Sequence, residues 1–215
     1  GIMKQVIGWT LFVIVAIGVM GLALWGALAL WFALPMDEPI RLALGGLLPV
    51  LGFGGLVMSA ARRRFIGPLL PFALACVALF GWWSTIEASN DREWQADVAR
   101  QPSADIAGNL VTLHNVRDFS YRTASDYTAN WRERTVDLDT LDTLDLFAVH
   151  WMGDDIAHTM VSFGFADGPV TISIETRKEE GEAYSSLAGF FRRYELYYVV
   201  GTEEDLVGVR TTYRE

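Results

Sequence analysis

The chain has 215 residues, of which 52% are hydrophobic, and a formal net charge of −9. Residues 1–86 hold five basic and two acidic side chains, a net charge of +3, which leaves −12 for residues 87–215. Nucleic-acid binding depends on clustered Lys and Arg, so the acidic second part argues against a nucleic-acid partner.

Three apolar stretches precede this change in charge. They cover about residues 6–34, 40–61 and 65–86, and a transmembrane helix needs about 20 predominantly apolar residues. A cleaved signal peptide is the competing interpretation of the first stretch, but its apolar run exceeds the usual length of about 7–15 residues. Residues 1–86 are therefore predicted to form a membrane domain with three transmembrane helices, and the lipid bilayer is a predicted partner.

The charges between the apolar stretches predict an orientation. Arg62, Arg63 and Arg64 separate the second and third stretches, whereas Asp37 and Glu38 lie between the first and second. Basic loops stay on the cytoplasmic side. We therefore expect a cytoplasmic N-terminus, a location in the bacterial inner membrane, and residues 87–215 in the periplasm.

The patterns after residue 87 predict an α+β domain with a largely antiparallel sheet. A short polar helix over about 89–99 is followed by strands over 109–122, 144–151, 159–165 and 170–177, a helix over 184–193, a strand over 194–200 and a helix beginning at Thr202. Asp167-Gly168 lies between two strands and is a strong hairpin signal. Residues 87–215 are thus predicted to be one periplasmic domain.

The predicted hairpin distributes its side chains over two faces. If Asp167-Gly168 is the turn, residues whose numbers sum to 335 face each other. One face carries Val161, Phe163, Phe165, Val170, Ile172 and Ile174, and the other carries His158, Met160, Ser162, Thr171, Ser173, Glu175 and Arg177. We expect the apolar face in the core and the polar face open to chemistry, with His158 and Glu175 as diagonal neighbours.

His158 is the candidate catalytic residue of this hairpin. An imidazole oriented by a carboxylate, here Glu175, is what general-base catalysis requires. The ordinary alternative is a half-exposed strand with cross-strand charges. A zinc site built from His150, Asp154, Asp155 and His158 is a further alternative, but the spacing matches no compact zinc motif. We therefore predict neither a metal nor a cofactor.

The stretch His114-Asn115-Val116-Arg117-Asp118 concentrates polar groups in a predicted strand. Alternation places His114 and Asp118 on one face and Asn115 and Arg117 on the other. Two interpretations stay open for these residues. They either line a polar site or form a structural network between Arg117 and Asp118 at a sheet edge.

Several stretches together resemble the Lnb N-terminal periplasmic domain family of bacterial membrane proteins. They are "SNDREW", "VTLHNVRDFSYRT", "IAHTMVSFGF", "SIETRKEEGEAYSSLAGFFRRYELYYVV" and "EEDLVGVRTTYR". The resemblance implies a circularly permuted papain-like fold, in which the histidine strand precedes a nucleophilic cysteine in an Asn-Cys-Thr motif. His158 matches the family's histidine, and Glu175 fits the residue that orients it. Because related members are implicated in lipoprotein N-acylation, the resemblance implies a cysteine-dependent acyltransferase or hydrolase acting on lipoprotein or phospholipid substrates.

The sequence departs from this family pattern at the nucleophile. It contains no Asn-Cys-Thr, and its one cysteine, Cys76, lies in the third apolar stretch. The chain begins at Gly1 and ends at Tyr213-Arg214-Glu215, so we expect a fragment that lacks the nucleophile. The alternative is a non-catalytic, membrane-tethered binding or assembly module.

Overall fold

The computed structural model describes residues 2–64, 66–151 and 153–213. The chain divides into two compact units. The membrane unit comprises residues 1–89 together with 185–193, and the sheet unit comprises residues 90–184 and 194–215. The segment Ser185–Arg193, which the sequence analysis placed in the second domain, thus groups with the apolar helices.

The membrane unit contains three long helices: α1 (Ile2–Ala33), α2 (Glu38–Arg62) and α3 (Ile66–Trp83). All three are long and apolar enough to cross a membrane. Helix α2 is capped at its C-terminal end by Arg63, which has a left-handed backbone (φ 51°) and whose N–H bonds the carbonyl of Ser59. This conformation closes the last turn of a helix, because it supplies a donor to carbonyls that have no intrahelical partner.

The three helices pack through a small apolar cluster and through glycines. The cluster consists of Val19, Ala23, Leu48, Leu56, Phe72, Cys76 and Leu79. At Gly55, a Cβ atom would lie 2.9 Å from the carbonyl oxygen of Pro68, so only glycine allows α2 and α3 to approach this closely. Small residues commonly permit such contacts between helices in membranes.

The sheet unit has an α+β architecture, as predicted. Its strands are β1 (Ser103–Ala107), β2 (Leu110–Arg117), β3 (Ser120–Tyr121), β4 (Tyr127–Thr128), β5 (Trp131–Asp137), β6 (Thr143–His150), β7 (Ala157–Phe165), β8 (Gly168–Arg177) and β9 (Glu195–Gly201). The described residues form a main sheet of order β1-β2-β9-β8-β7-β6, in which β5 also pairs with β2. All its pairings are antiparallel except a single parallel contact between β2 and β9.

Three short helices accompany the sheet strands in the chain. Helix α4 (Ser186–Phe190) belongs to the membrane unit, whereas α5 (Glu203–Leu206) and α6 (Gly208–Thr212) follow β9 in the sheet unit. Helix α5 is capped by Thr202, whose side chain accepts a hydrogen bond from the backbone N–H of Asp205. The predicted start of the last helix at Thr202 is therefore confirmed.

The hairpin turn lies one residue earlier than predicted. Phe165 pairs with Gly168, so the loop residues are Ala166 and Asp167, and the paired numbers sum to 333. Gly168 has a positive φ of 112° and opens β8. The correction is a shift of two residues in register, so each side chain keeps its predicted face.

The polar face of the hairpin is buried rather than open, contrary to the prediction, while the apolar face contributes Val170, which is 3% exposed, to a second apolar cluster. The polar face is the more buried one: Met160, Ser162, Thr171 and Ser173 are at most 1% exposed, whereas Ile174 on the apolar face is 55% exposed. Leu206, Val98 and Trp94 pack in the same apolar cluster as Met160. The polar side chains are buried without penalty because they bond one another, as Thr171 does to Ser162 and Ser173 does to Glu175.

The polar helix predicted over residues 89–99 is wrong. This segment is a turn with an isolated bridge from Trp94 to Glu179. Arg177 donates hydrogen bonds to the carbonyls of Val98 and Ala99, and its guanidinium lies 4.2 Å from the Trp94 ring centre. Because these partners are distant in sequence, they satisfy the backbone in a way that local propensity does not indicate.

Candidate functional site

His158 and Glu175 are brought together by the pairing of β7 with β8. The imidazole Nε2 of His158 lies 3.1 Å from Oε1 of Glu175. Continuing the register of Met160 with Ser173 by two residues places His158 directly opposite Glu175 rather than diagonal to it. Both side chains are partly buried, with exposed fractions of 26% and 17%.

Ser173 completes this arrangement on the same face. Its hydroxyl lies 2.7 Å from Nε2 of His158 and donates to Oε1 of Glu175 at 2.6 Å. A serine hydroxyl has one proton, so a hydroxyl that donates to Glu175 must accept from His158. The imidazole therefore carries its proton on Nε2.

The free nitrogen of His158 is consequently Nδ1. Within the described part of the chain, no hydrogen bond is made to this atom. A neutral imidazole with its proton fixed on Nε2 has a lone pair on Nδ1. The contacts of Ser173 and Glu175 thus select the tautomer in which Nδ1 can accept a proton.

Arg210 supplies the charge that holds Glu175 ionised. Its guanidinium forms an ion pair with Oε1 of Glu175 and also donates to the carbonyl of Leu206. Burial raises the pKa of Glu175, but the hydrogen bond from His158 and the charge of Arg210 outweigh this effect and lower it to about 2. Glu175 is therefore a carboxylate at neutral pH.

A cavity of about 500 Å³ adjoins this group in the sheet unit. Its polar lining consists of Asp97, Arg117, His158, Glu175, Thr176, Lys178 and Arg210, and its apolar lining consists of Val98, Val149, Trp151, Ile174, Tyr184 and Leu196. Such a mixture of a few convergent polar groups with apolar walls is typical of small-molecule sites. The cavity has room for an apolar chain beside a reactive polar group.

Arg117 and Asp205 form a buried ion pair at the cavity wall. The guanidinium contacts both carboxylate oxygens of Asp205, at 2.7 and 3.0 Å, and donates to the carbonyl of Asp97. Burial alone would lower the pKa of Arg117, but the adjacent Asp205 carboxylate raises it above its usual range. Of the two interpretations left open for this stretch, the Arg117–Asp118 network is not the one observed, because Arg117 pairs with Asp205 and Asp118 pairs with Arg132.

His114 and Asn115 lie away from this cavity lining. Asn115 sits at a β-bulge with a positive φ of 56°, and the bulge shifts the register of β2 between Leu113 and Val116. His114 contacts Asp105 and Glu133, each at 2.9 Å. These two carboxylates, Asp105 more strongly, raise the pKa of the exposed His114. The polar residues of this stretch therefore have different locations. Arg117 lines the cavity, whereas His114 does not.

The residues proposed as zinc ligands are not gathered into a metal site. His150 ends β6, Asp154 and Asp155 lie in the following turn, and His158 bonds Ser173 and Glu175. Over residues 2–64, 66–151 and 153–213, no group of three His, Cys, Asp or Glu side chains has the geometry to hold a metal ion.

Sequence reasoning missed Ser173, Arg210 and Asp205 as members of this group. Ser173 could have been found, because hairpin parity already placed it on the face of His158. Arg210 and Asp205 are 35 and 88 residues from their partners in the chain. No local pattern indicates such pairs.

The fold and the site define a membrane-anchored α+β protein with a partly buried His-Ser-Glu group beside a cavity. Residues 127–215 match the family model of the Lnb N-terminal periplasmic domain. The family predicted from the sequence motifs is therefore confirmed over this segment, which includes β5 to α6 and the whole His158 group. The matched segment and the three apolar helices together support a membrane protein with a periplasmic domain.

Comparisons with curated proteins and with solved structures give no match.

Proposed function

We propose that the sheet unit carries the base of a cysteine-dependent acyltransferase or hydrolase with a circularly permuted papain-like fold. The observation that supports this proposal is the contact of His158 Nε2 with Ser173 and Glu175. Ser173 and Glu175 both contact Nε2, so Nδ1 is the ring nitrogen left to act as a base, and His158 lines the cavity. An imidazole held in this way is the usual activator of a thiol nucleophile.

The proposed reaction transfers the thiol proton to Nδ1 of His158. The thiolate then attacks an ester or amide carbonyl, and the leaving group takes the proton from the imidazolium as the acyl thioester forms. An amine or water next attacks the thioester and gives its proton to Nδ1. The departing thiolate then takes this proton from the imidazolium, which regenerates the thiol and the neutral imidazole. Glu175 orients His158 and stabilises its cationic form during both steps. Cys76, the one cysteine of residues 1–215, belongs to α3 of the membrane unit, so the proposal assigns the thiol to a residue outside this sequence.

The cavity walls and the membrane helices support a lipid-linked or lipoprotein substrate. Val149, Trp151 and Leu196 offer an apolar wall of a kind that suits an acyl chain. Anchoring the enzyme in the bilayer confines it with such a substrate to one thin layer, which raises their effective concentration.

The proposed location is the bacterial inner membrane, with the N-terminus in the cytoplasm. The basic loop Arg62–Arg64 and the acidic pair Asp37-Glu38 support this orientation. A periplasm-dependent phosphatase fused after residue 213 should be active, and a fusion after Arg64 should be inactive. The reverse pattern would contradict the orientation.

The catalytic proposal is tested in the longest natural chain that contains residues 1–215. Acyl transfer from a fluorogenic long-chain ester is measured for the wild type, His158→Ala and His150→Ala. The His158 variant should lose about 10²- to 10⁴-fold in kcat, the range supplied by a general base. His150→Ala, an exposed histidine at the end of β6, should stay within about twofold of the wild type because it lies outside the group.

A non-catalytic membrane-tethered module is the second candidate. The observation that favours it is the position of Cys76, the one cysteine of residues 1–215, in the core of the membrane unit. A folded wild-type chain with no acyl-transfer activity, or a His158→Ala variant with full activity, would contradict the catalytic proposal. The first of these results would favour the module.

A further inference from the structure

The segment Ser185–Arg193 is joined to the ends of the membrane helices by specific contacts. The ring of Phe191 stacks on that of Phe32 at 5.8 Å, and Arg193 donates to the carbonyl of Phe32. Arg192 donates to the carbonyl of Trp83 and lies over the Trp83 ring at 4.9 Å. Phe32 and Trp83 are in the last turns of α1 and α3, so the segment lies at the level where these helices end.

The two arginines occupy positions that helix ends favour. The last carbonyls of a helix have no intrahelical partner and carry partial negative charge, so guanidinium donors stabilise them. Arg192 donates to such a carbonyl, that of Trp83, and its own backbone is left-handed with φ 56°. Glycine is the usual residue at such a position after a helix. The Arg192 side chain combines this hydrogen bond with its contact with the Trp83 ring.

Helix α4 places apolar side chains on the exposed side of this segment. Phe191 is 3% exposed, whereas Leu187 and Phe190 are 52% and 73% exposed. Trp and Tyr side chains near helix ends mark the boundary between lipid and water, and Trp82 and Trp83 lie at this level. Leu187 and Phe190 are thus exposed apolar side chains on a segment that is joined to these helix ends.

We propose that Ser185–Arg193 is an interfacial segment that embeds Leu187 and Phe190 among the acyl chains of the surrounding phospholipid. The contacts of Phe191, Arg192 and Arg193 hold the segment at the ends of α1 and α3. The periplasmic domain is thereby attached to the membrane at a second place in its sequence, about 100 residues after the last span. This inference does not depend on any catalytic activity.

Spin-label depth measurements test this proposal on the whole chain in phospholipid nanodiscs. After Cys76→Ala, single labels are placed at Leu187→Cys and Phe190→Cys. Leu24→Cys, in the middle of α1, is the lipid reference, and Asp37→Cys, in the exposed loop between α1 and α2, is the water reference. Labels at 187 and 190 should lie about 5–10 Å below the headgroup level, the depth of interfacial helices, with high oxygen and low nickel-reagent accessibility.

The spin-label measurement also has an outcome that would contradict the proposal. Nickel accessibility at 187 and 190 equal to that at Asp37→Cys would overturn the proposal. A photoreactive benzoylphenylalanine at Phe190 provides a second measurement in an otherwise native chain, since it preserves an aromatic ring. It should cross-link to phospholipid in nanodiscs, and cross-linking to water-soluble components alone would also overturn the proposal.

Discussion

Glu175→Gln should remove a pH-dependent part of the stability of the sheet unit. The pKa of Glu175 is lowered from 4.5 to about 2 in the folded chain. A carboxyl with a lower pKa in the folded state stabilises the fold at pH values above its unfolded pKa. That contribution is lost as the pH falls through the folded pKa.

The size of this effect follows from the two pKa values. The full shift corresponds to about 3 kcal/mol at neutral pH. About 2 kcal/mol of it should be lost between about pH 5 and pH 3. Both pH values lie below the ordinary histidine pKa of about 6.5, so imidazole titration contributes little over this interval.

Hydrogen exchange of β7 and β8 amides in the full chain measures this loss. It reports the opening of the sheet unit separately from that of the membrane helices. The control is Glu180→Gln, which removes a carboxylate from an exposed position. The wild type and the control should lose about 2 kcal/mol more than Glu175→Gln between the two pH values. Equal losses in all three chains would refute the reasoning.

Two further predictions concern buried contacts elsewhere in the chain. Asp205→Asn should destabilise the sheet unit by about 3–5 kcal/mol, because Arg117 keeps a buried charge without its partner. The double change Arg117→Met with Asp205→Leu removes both charges and should recover most of this stability, as measured by hydrogen exchange. Additive losses in the double variant would contradict this account. Gly55→Ala should lower the thermal stability of the chain in detergent, because the added Cβ would clash with the Pro68 carbonyl. The control Gly54→Ala should leave the thermal stability unchanged, because Gly54 faces open space. Equal effects at the two glycines would count against close helix packing.

The hairpin of β7 and β8 was predictable because its signals are local. Alternation fixed which side chains share a face, and a turn misplaced by one residue preserved that parity because it shifted the register by two. His158 and Glu175 were therefore correctly placed together. The alternation of side chains does not indicate which residues pack over each face.

The layer over the polar face is built from distant residues, which explains why that face is buried. Leu206 from α5 and Trp94 from the segment before β1 pack with Met160 on the polar face. The serines and threonines of that face are tolerated there because they bond one another and Glu175. Polarity predicted exposure, but paired polar groups can be buried at little cost.

The C-terminal helices that cover the polar face also determine the environment of His158 and Glu175. On an exposed strand, His158 and Glu175 would form a solvent-screened pair of little energetic value. Beneath α5 and α6, Arg210 reaches Glu175 and keeps it ionised, while Ser173 fixes the proton on Nε2 of His158. Charge, tautomer and burial are therefore set together by the packing of the C-terminal helices against β8. A substitution that loosens the packing of α5 and α6 should disturb the contacts of His158 before it unfolds the sheet. The strands are held by their own backbone pairing, whereas the site also needs the C-terminal helices.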